Sequence, residues 1–328
     1  MMLFSNVHYM CEYSTSVVYS LRYIKGSMMI DNINFDVFDE SLGVDGYYSL
    51  IRDVFFPNST PESFDLALFP ANERYYPKGS LFSRVRRIDQ DTALKFYNGY
   101  ISLSDFYPPN PKKINTSEGR FNAKNESIFY LADHPYVAMK ECDISVNDYF
   151  LLSYFSSQKK MCFLEVENGN HPLSNLMYRL FLAKDKRFYP VINLVYSNLL
   201  KFDKYDGLVY KSVKVVGEHK IKGNWEGVSS IINLAITSEN IKNFKFELSW
   251  MNFCDSNYMP VQYSIFYPLS PKKSKKLFKL NFLGNKKKFI SISMVRNEEL
   301  HIKYRKSKGQ LHELKVSDQI PFKTVMKL

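Results

Sequence analysis

Apolar positions along the chain fall into many short strand-like runs and fewer helical ones. The first helical signal covers residues 46–56, an aromatic and aliphatic stretch that stops at Pro57, because the residue before a proline is pushed out of the helical region. At Leu81-Phe82-Ser83-Arg84-Val85-Arg86 the pattern becomes strand-like, and the two-residue period places Arg84 and Arg86 on one face. A loop with Pro108, Pro109 and Pro111 follows over residues 105–119, and a long loop inside a compact domain is often functional. Residues 127–132 read as a short buried strand, after which Asp133 is expected to cap a helix that begins near His134-Pro135. On that helix Val137 and Glu141 share a face, one turn apart. Further strands are expected over 160–166, 207–212 and 231–236, with a helix over 176–183.

Beyond about Phe246 the chain reads as short strands, with 276–282, 288–294 and 300–304 joined at Gly284-Asn285 and Arg296-Asn297 as an antiparallel meander. This divides the chain into an N-terminal helical or mixed cap (1–77), a central region (78–240) and a basic antiparallel β module (241–328). The fold class expected is α+β.

Composition sharpens that picture. A chain of 328 residues with 45% hydrophobic and 16% aromatic content can bury a full core, which argues against disorder as the main state. Cys11, Cys142, Cys162 and Cys254 follow no CxxC or Cys/His ligand spacing, so neither a disulfide framework nor a zinc site is indicated. The histidines show no metal spacing, and there is no GxGxxG or GxxxxGK loop. Residues 1–24 are interrupted by His8, Glu12 and Arg22, and so offer neither a signal-peptide core nor a spanning helix. A cytoplasmic, soluble protein without membrane contact is the expectation. Ser14-Thr15-Ser16 and Glu165-Val166-Glu167 imitate a Ser-Thr-Ser and Glu-x-Glu pair, but the order of the motifs makes both coincidental.

Charge is unevenly placed. Residues 271–328 hold 16 Lys or Arg against 4 Asp or Glu, a local balance of +12, which leaves −1 of the overall +11 for the rest of the chain. Lys272, Lys273, Lys275, Lys276, Lys286, Lys287 and Lys288 are interleaved with Phe278, Phe282 and Phe289. That pattern fits a one-sided sheet whose charged face resists aggregation, a platform for single-stranded nucleic acid, or a dock for an acidic partner protein.

The most informative stretch is Gly119-Arg120-Phe121-Asn122, followed by Ile128-Phe129-Tyr130-Leu131-Ala132 and Ala138-Met139-Lys140-Glu141. Tyr130 lies 10 positions after Arg120, and Glu141 lies 11 positions after Tyr130. That order resembles the core motif of the RES domain family, largely bacterial NAD⁺-consuming toxins with an ADP-ribosyltransferase-like fold. The resemblance extends over about residues 78–240, through Phe82-Ser83-Arg84-Val85-Arg86 and Phe106-Tyr107-Pro108-Pro109 upstream, and through the run from Tyr205 to Ser212 and Asn233-Leu234-Ala235-Ile236 downstream. Asn125 stands where the family usually turns on a glycine and is expected to supply the positive φ. Phe121 replaces a tryptophan, and Lys211 stands where many relatives have proline.

The resemblance implies an ADP-ribosyltransferase-like central domain of mixed β-sheets with helices, and NAD⁺ as substrate with no metal. Arg84 and Arg120 would hold its phosphates, which suits a planar, permanently charged fork. Tyr130 would orient the nicotinamide, as an aromatic face attracts a planar cation. Glu141 would stabilise charge developing on the ribose, and Ser212 would hydrogen-bond the ligand. The activity expected is cleavage of the nicotinamide N-glycosidic bond as a glycohydrolase or phosphorylase. Transfer of ADP-ribose to a protein or nucleic acid, and a non-catalytic nucleic-acid-binding protein, remain as alternatives. A separately encoded antitoxin or immunity protein is the partner that the resemblance implies.

Overall fold

The computed structural model describes residues 33–57, 72–169, 171–215, 230–270 and 276–309. Ser14-Thr15-Ser16, Lys272, Lys273, Lys275, residues 58–71 and much else of the expected N-terminal cap lie outside the described residues. The first described helix, α1 (Gly43–Phe55), matches the expected one closely and buries Tyr47, Ile51 and Phe55 at helical spacing. Strands β1 (Asn72–Tyr76) and β2 (Leu81–Ile88) are followed by α2 (Gln90–Tyr97), β3 (Phe129–Ala132), α3 (Pro135–Glu141), β4 (Tyr149–Ser157) and β5 (Met161–Val166). Next come α4 (Pro172–Phe181), α5 (Tyr189–Val195), β6 (Gly207–Lys211), β7 (Ile232–Ile236), β8 (Phe244–Cys254), β9 (Pro260–Pro268), β10 (Leu277–Asn281) and α6 (Lys286–Gly309).

The protein is α+β, with the ten strands among the described residues in one mixed sheet of order β1-β5-β6-β7-β3-β2-β4-β8-β9-β10. Among these strands, β5 and β6 alone run parallel. The sheet is nearly divided at its middle, because β2 and β3 meet at the single pair Ser83↔Ala132. The same register carried one step further would set Arg84 against Leu131, and that pair does not form. Five strands therefore lie on either side of an opening. Phe82, Phe155 and Phe244 from one side share an apolar layer with Phe129, Phe163 and Leu234 from the other. Phe129 and Phe155 meet edge to face at 4.8 Å across it. Each such buried side chain contributes roughly 1.5–3 kcal/mol.

Helices cover the opposite faces. On β5, β6 and β7, Leu164, Leu208 and Ala235 pack with Ile51 of α1, Phe181 of α4 and Val191 of α5. On β2, β4 and β8, Val85, Leu152 and Trp250 pack with Val137 and Met139 of α3 and with Phe289 and Leu300 of α6.

The tail departs from expectation. Residues 288–294 and 300–304 are not strands of a meander but part of α6, so the expected β module after residue 241 is only partly β. Asn285 begins the helix: its Oδ1 accepts from the Lys288 amide at 3.0 Å, the role of an N-cap. The buried positions Phe289, Ser293, Asn297 and Leu300 have helical spacing. The strands that do form, β8, β9 and β10, continue the central sheet outward from β4. A second correction concerns α3. Its cap is His134, whose Nδ1 accepts from the Tyr136 amide at 3.2 Å, rather than Asp133. The Asp133 carboxylate is engaged by the Ser230 and Tyr76 hydroxyls. Asn125 has φ of 64°, the turn expected of it. Among the described residues no helix is long and apolar enough to cross a membrane.

Candidate functional site

Sheet register sets the floor of the site. Ala132 of β3 pairs with Asn233 of β7, and Asn233 pairs with Tyr210 of β6, so these side chains share one face. Two positions along, Tyr130 pairs with Ala235 on that same face, and Ser212 follows Tyr210 just past the end of β6. The short α3 begins at Pro135, buries Val137 and Met139, and ends at Glu141.

Glu141 meets two of these groups directly. Its Oε1 accepts from Ser212 Oγ at 2.5 Å and from Asn233 Nδ2 at 2.9 Å. Ser212 Oγ in turn accepts from the amides of Lys214 at 3.2 Å and Val215 at 3.0 Å. A hydroxyl has one proton to give and two lone pairs. With both lone pairs engaged by backbone, the Ser212 proton goes to Glu141. Two donors thus converge on one carboxylate oxygen and fix its position. No described residue donates to Oε2. Asn233 was not assigned chemistry from the sequence; its only signal there is a lone amide within the apolar run 231–236.

Arg120 and Tyr130 lie next to this group. Gly119 and Asn122 form an isolated bridge that folds the arginine loop back on itself. A Cβ at Gly119 would stand 2.3 Å from Asn122 Oδ1, so a side chain there would displace the Asn122 amide. The Tyr130 hydroxyl donates to that Oδ1 and accepts from the Phe121 amide, each at 2.9 Å. It is thus engaged in shaping the loop. Arg120 is buried, donates to the Phe181 carbonyl and lies 5.2 Å from the centroid of the Tyr189 ring. It forms no ion pair with a described residue. Tyr210 links the two groups: burial and the Glu141 and Tyr130 side chains hold its phenol well above the ordinary value, against the pull of Arg120.

Arg84 approaches from elsewhere. Strand alternation sends it off β2 on the side of Phe82 and Arg86, away from Ser83 and Val85, at the point where β2 leaves β3. Burial draws its guanidinium down to about 10, and no described residue pairs with it. Its nearest link to the site is Cys142, directly after Glu141, whose Sγ donates to the Val85 carbonyl at 3.2 Å. Burial pushes that thiol up to about 11 while the Arg84 charge opposes the rise. The structure thus joins Glu141 to Ser212 by contact and brings Tyr130 and Arg120 alongside through Tyr210, while no hydrogen bond or ion pair joins Arg84 to them and its charge is felt at Cys142, next to Glu141.

No family model and no curated protein matches this chain. The chemistry of the site is therefore argued from its own geometry. A carboxylate with one oxygen anchored and the other without a donor among the described residues can stabilise a developing cation or orient a hydroxyl, and guanidinium groups unpaired among those residues suit an anion. Among the described residues no group of three or more His, Cys, Asp and Glu is placed to hold a metal ion. Cavities of about 440 Å³ beside α1, lined by Val37, Leu42 and Leu50, and of about 400 Å³ at Arg87, Asp89 and Asp148, share no residue with this group.

Proposed function

We propose that this chain cleaves the bond between nicotinamide and ribose in NAD⁺. The observation that carries the reading is Glu141, held through one oxygen by Ser212 and Asn233 while no described residue donates to the other. When the glycosidic C–N bond breaks, its electron pair leaves with nicotinamide and positive charge develops on the ribose. A fixed anion stabilises that charge because it needs no reorganisation at the moment of reaction. Water or phosphate then completes the ribose carbon and releases a proton. Arg120, buried and without an ion pair among the described residues, suits the pyrophosphate, as does Arg84, also unpaired among the described residues. The biological counterpart of this reading is a toxin restrained by a separately encoded antitoxin or immunity protein.

Incubation of the purified chain with NAD⁺ tests the reading directly. Free nicotinamide is the expected product, and intact dinucleotide after prolonged exposure would refute it. Labelled adenine then identifies the acceptor as water, phosphate or a macromolecule. Arg120→Ala is expected to raise KM for NAD⁺ about 10- to 100-fold, the worth of a hydrogen bond to a charged group. Steady-state kinetics checks this, alongside a thermal melt, because the substitution also removes the donor to the Phe181 carbonyl.

A second reading rests on the exposed Lys276, Lys286, Lys287 and Lys288 where β10 gives way to α6. Nucleic-acid contact there would weaken steeply with salt, and a salt titration of binding decides it.

A further inference from the structure

α3 has only seven residues, and the carboxylate of the proposed reaction is on the last of them. A helix that short has little stability of its own, so whatever grips its final turn decides where Glu141 points. Val85 and Lys214 supply part of that grip, the first through the Cys142 thiol and the second by donating from Nζ to the Glu141 carbonyl at 3.0 Å.

Lys140 provides a different contact. It forms no ion pair with a described residue; its Nζ lies 3.7 Å from the centroid of the Tyr258 ring and 5.4 Å from that of Tyr136. The two rings stand edge to face at 5.9 Å. Tyr258 belongs to the turn between β8 and β9 and has φ of 60°, a left-handed conformation that is costly for an aromatic residue. Such strain persists only where the surroundings over-determine it. Here they do: Asp255 Oδ1 accepts from the amides of Asn257 at 2.9 Å and Met259 at 2.8 Å, and the Tyr258 amide donates to the Asp255 carbonyl at 3.0 Å. The rim is tied to the α3–β4 connection by Cys254 N to Asp148 O and Asn147 N to Cys254 O, both at 2.9 Å. The product of this strained turn is an aromatic face over the residue next to Glu141.

We propose that Lys140 and Tyr258 are positioning residues for Glu141, a cation–π clamp that pins the last turn of α3 to the β8–β9 turn and so aims the carboxylate. The inference rests on the proposed function for its kinetic consequence, and on the fold alone for its structural one. It also assigns the strands after residue 240 a part in the reaction.

Four variants of the full chain test the clamp. Tyr258→Ala keeps a Cβ, and with it the backbone cost, so it isolates the loss of the ring; Lys140→Met removes the charge and keeps the stem. Tyr258→Phe and Lys140→Arg conserve the contact. With NAD⁺ as substrate, Tyr258→Ala and Lys140→Met are expected to lower kcat about tenfold or more, with KM within about twofold, since misplacing a reacting group costs rate more than binding. Amide hydrogen exchange should quicken in peptides covering 139–144 and 212–215 and stay unchanged in β4 and β8. The conservative pair should restore both readouts. Unchanged kcat and unchanged exchange in the first pair would overturn the proposal, as would acceleration spread equally over β4 and β8. If the wild-type chain releases no nicotinamide, the proposed function fails by itself, and the exchange measurement alone decides the clamp.

Discussion

Glu141→Gln is expected to reduce nicotinamide release by about 10²- to 10³-fold, the range seen when a preorganised electrostatic contact to a transition state is removed. The substitution is informative because it preserves shape. The amide oxygen of glutamine can accept from Ser212 Oγ and Asn233 Nδ2 as Oε1 does now, so α3 keeps its anchor while the negative charge disappears. A loss of rate with an unchanged melting temperature would therefore report on charge rather than folding. Near-normal turnover would remove Glu141 from the proposed chemistry, and would leave the paired donors on its Oε1 as a purely structural tie between α3 and the sheet.

Gly207→Ala is expected to destabilise the protein by about 3 kcal/mol or more, combining backbone strain with overpacking. Gly207 opens β6 with φ of 156°, and a Cβ there would stand 2.2 Å from the Ala235 carbonyl oxygen and 3.1 Å from the Ile236 Cα. Those are backbone atoms of the paired strand, and they cannot swing aside as a side chain can. The same strand carries Tyr210 and leads into Ser212, so nicotinamide release should fall together with stability. Thermal or denaturant unfolding measures the first effect. An unchanged midpoint would show that β6 can shift against β7 without cost.

Local elements were largely legible in the sequence where a single residue punctuates them. Pro57 marks the end of α1, Gly207 the start of β6, and the apolar run at 231–236 encloses β7. Where local pattern and tertiary burial disagree, the reading fails. Residues 288–294 alternate as a strand would, yet Asn285 caps the helix that contains them, and the contact of Phe289 and Leu300 with the β2 and β4 layer makes them helical. β4 and β8 are buried along nearly their whole length, so the two-residue period that reveals a strand is absent from them.

The candidate site divides along the same line. The order Arg120, Tyr130, Glu141 can be read along the chain, because a loop, a strand and a helix deliver them in succession. Asn233 and Tyr210 could not be assigned beside them, since their proximity to Glu141 depends on which strands pair and in what register. Arg84 shows the limit from the other side: its motif is local, but its surroundings follow from β2 pairing with β4 along its length and with β3 at one pair alone.

By itself, then, the sequence determined the α+β class, the positions of α1, β2, β3, β6 and β7, and the residue types from which a site could be built. Only the tertiary structure decided that the strands after residue 240 continue the central sheet, that a long basic helix follows them, and that the Tyr258 ring lies over Lys140 beside Glu141. The physical reason is range: caps, prolines and glycines act on their neighbours in the chain, whereas strand order and helix docking are settled by burial between segments far apart in it.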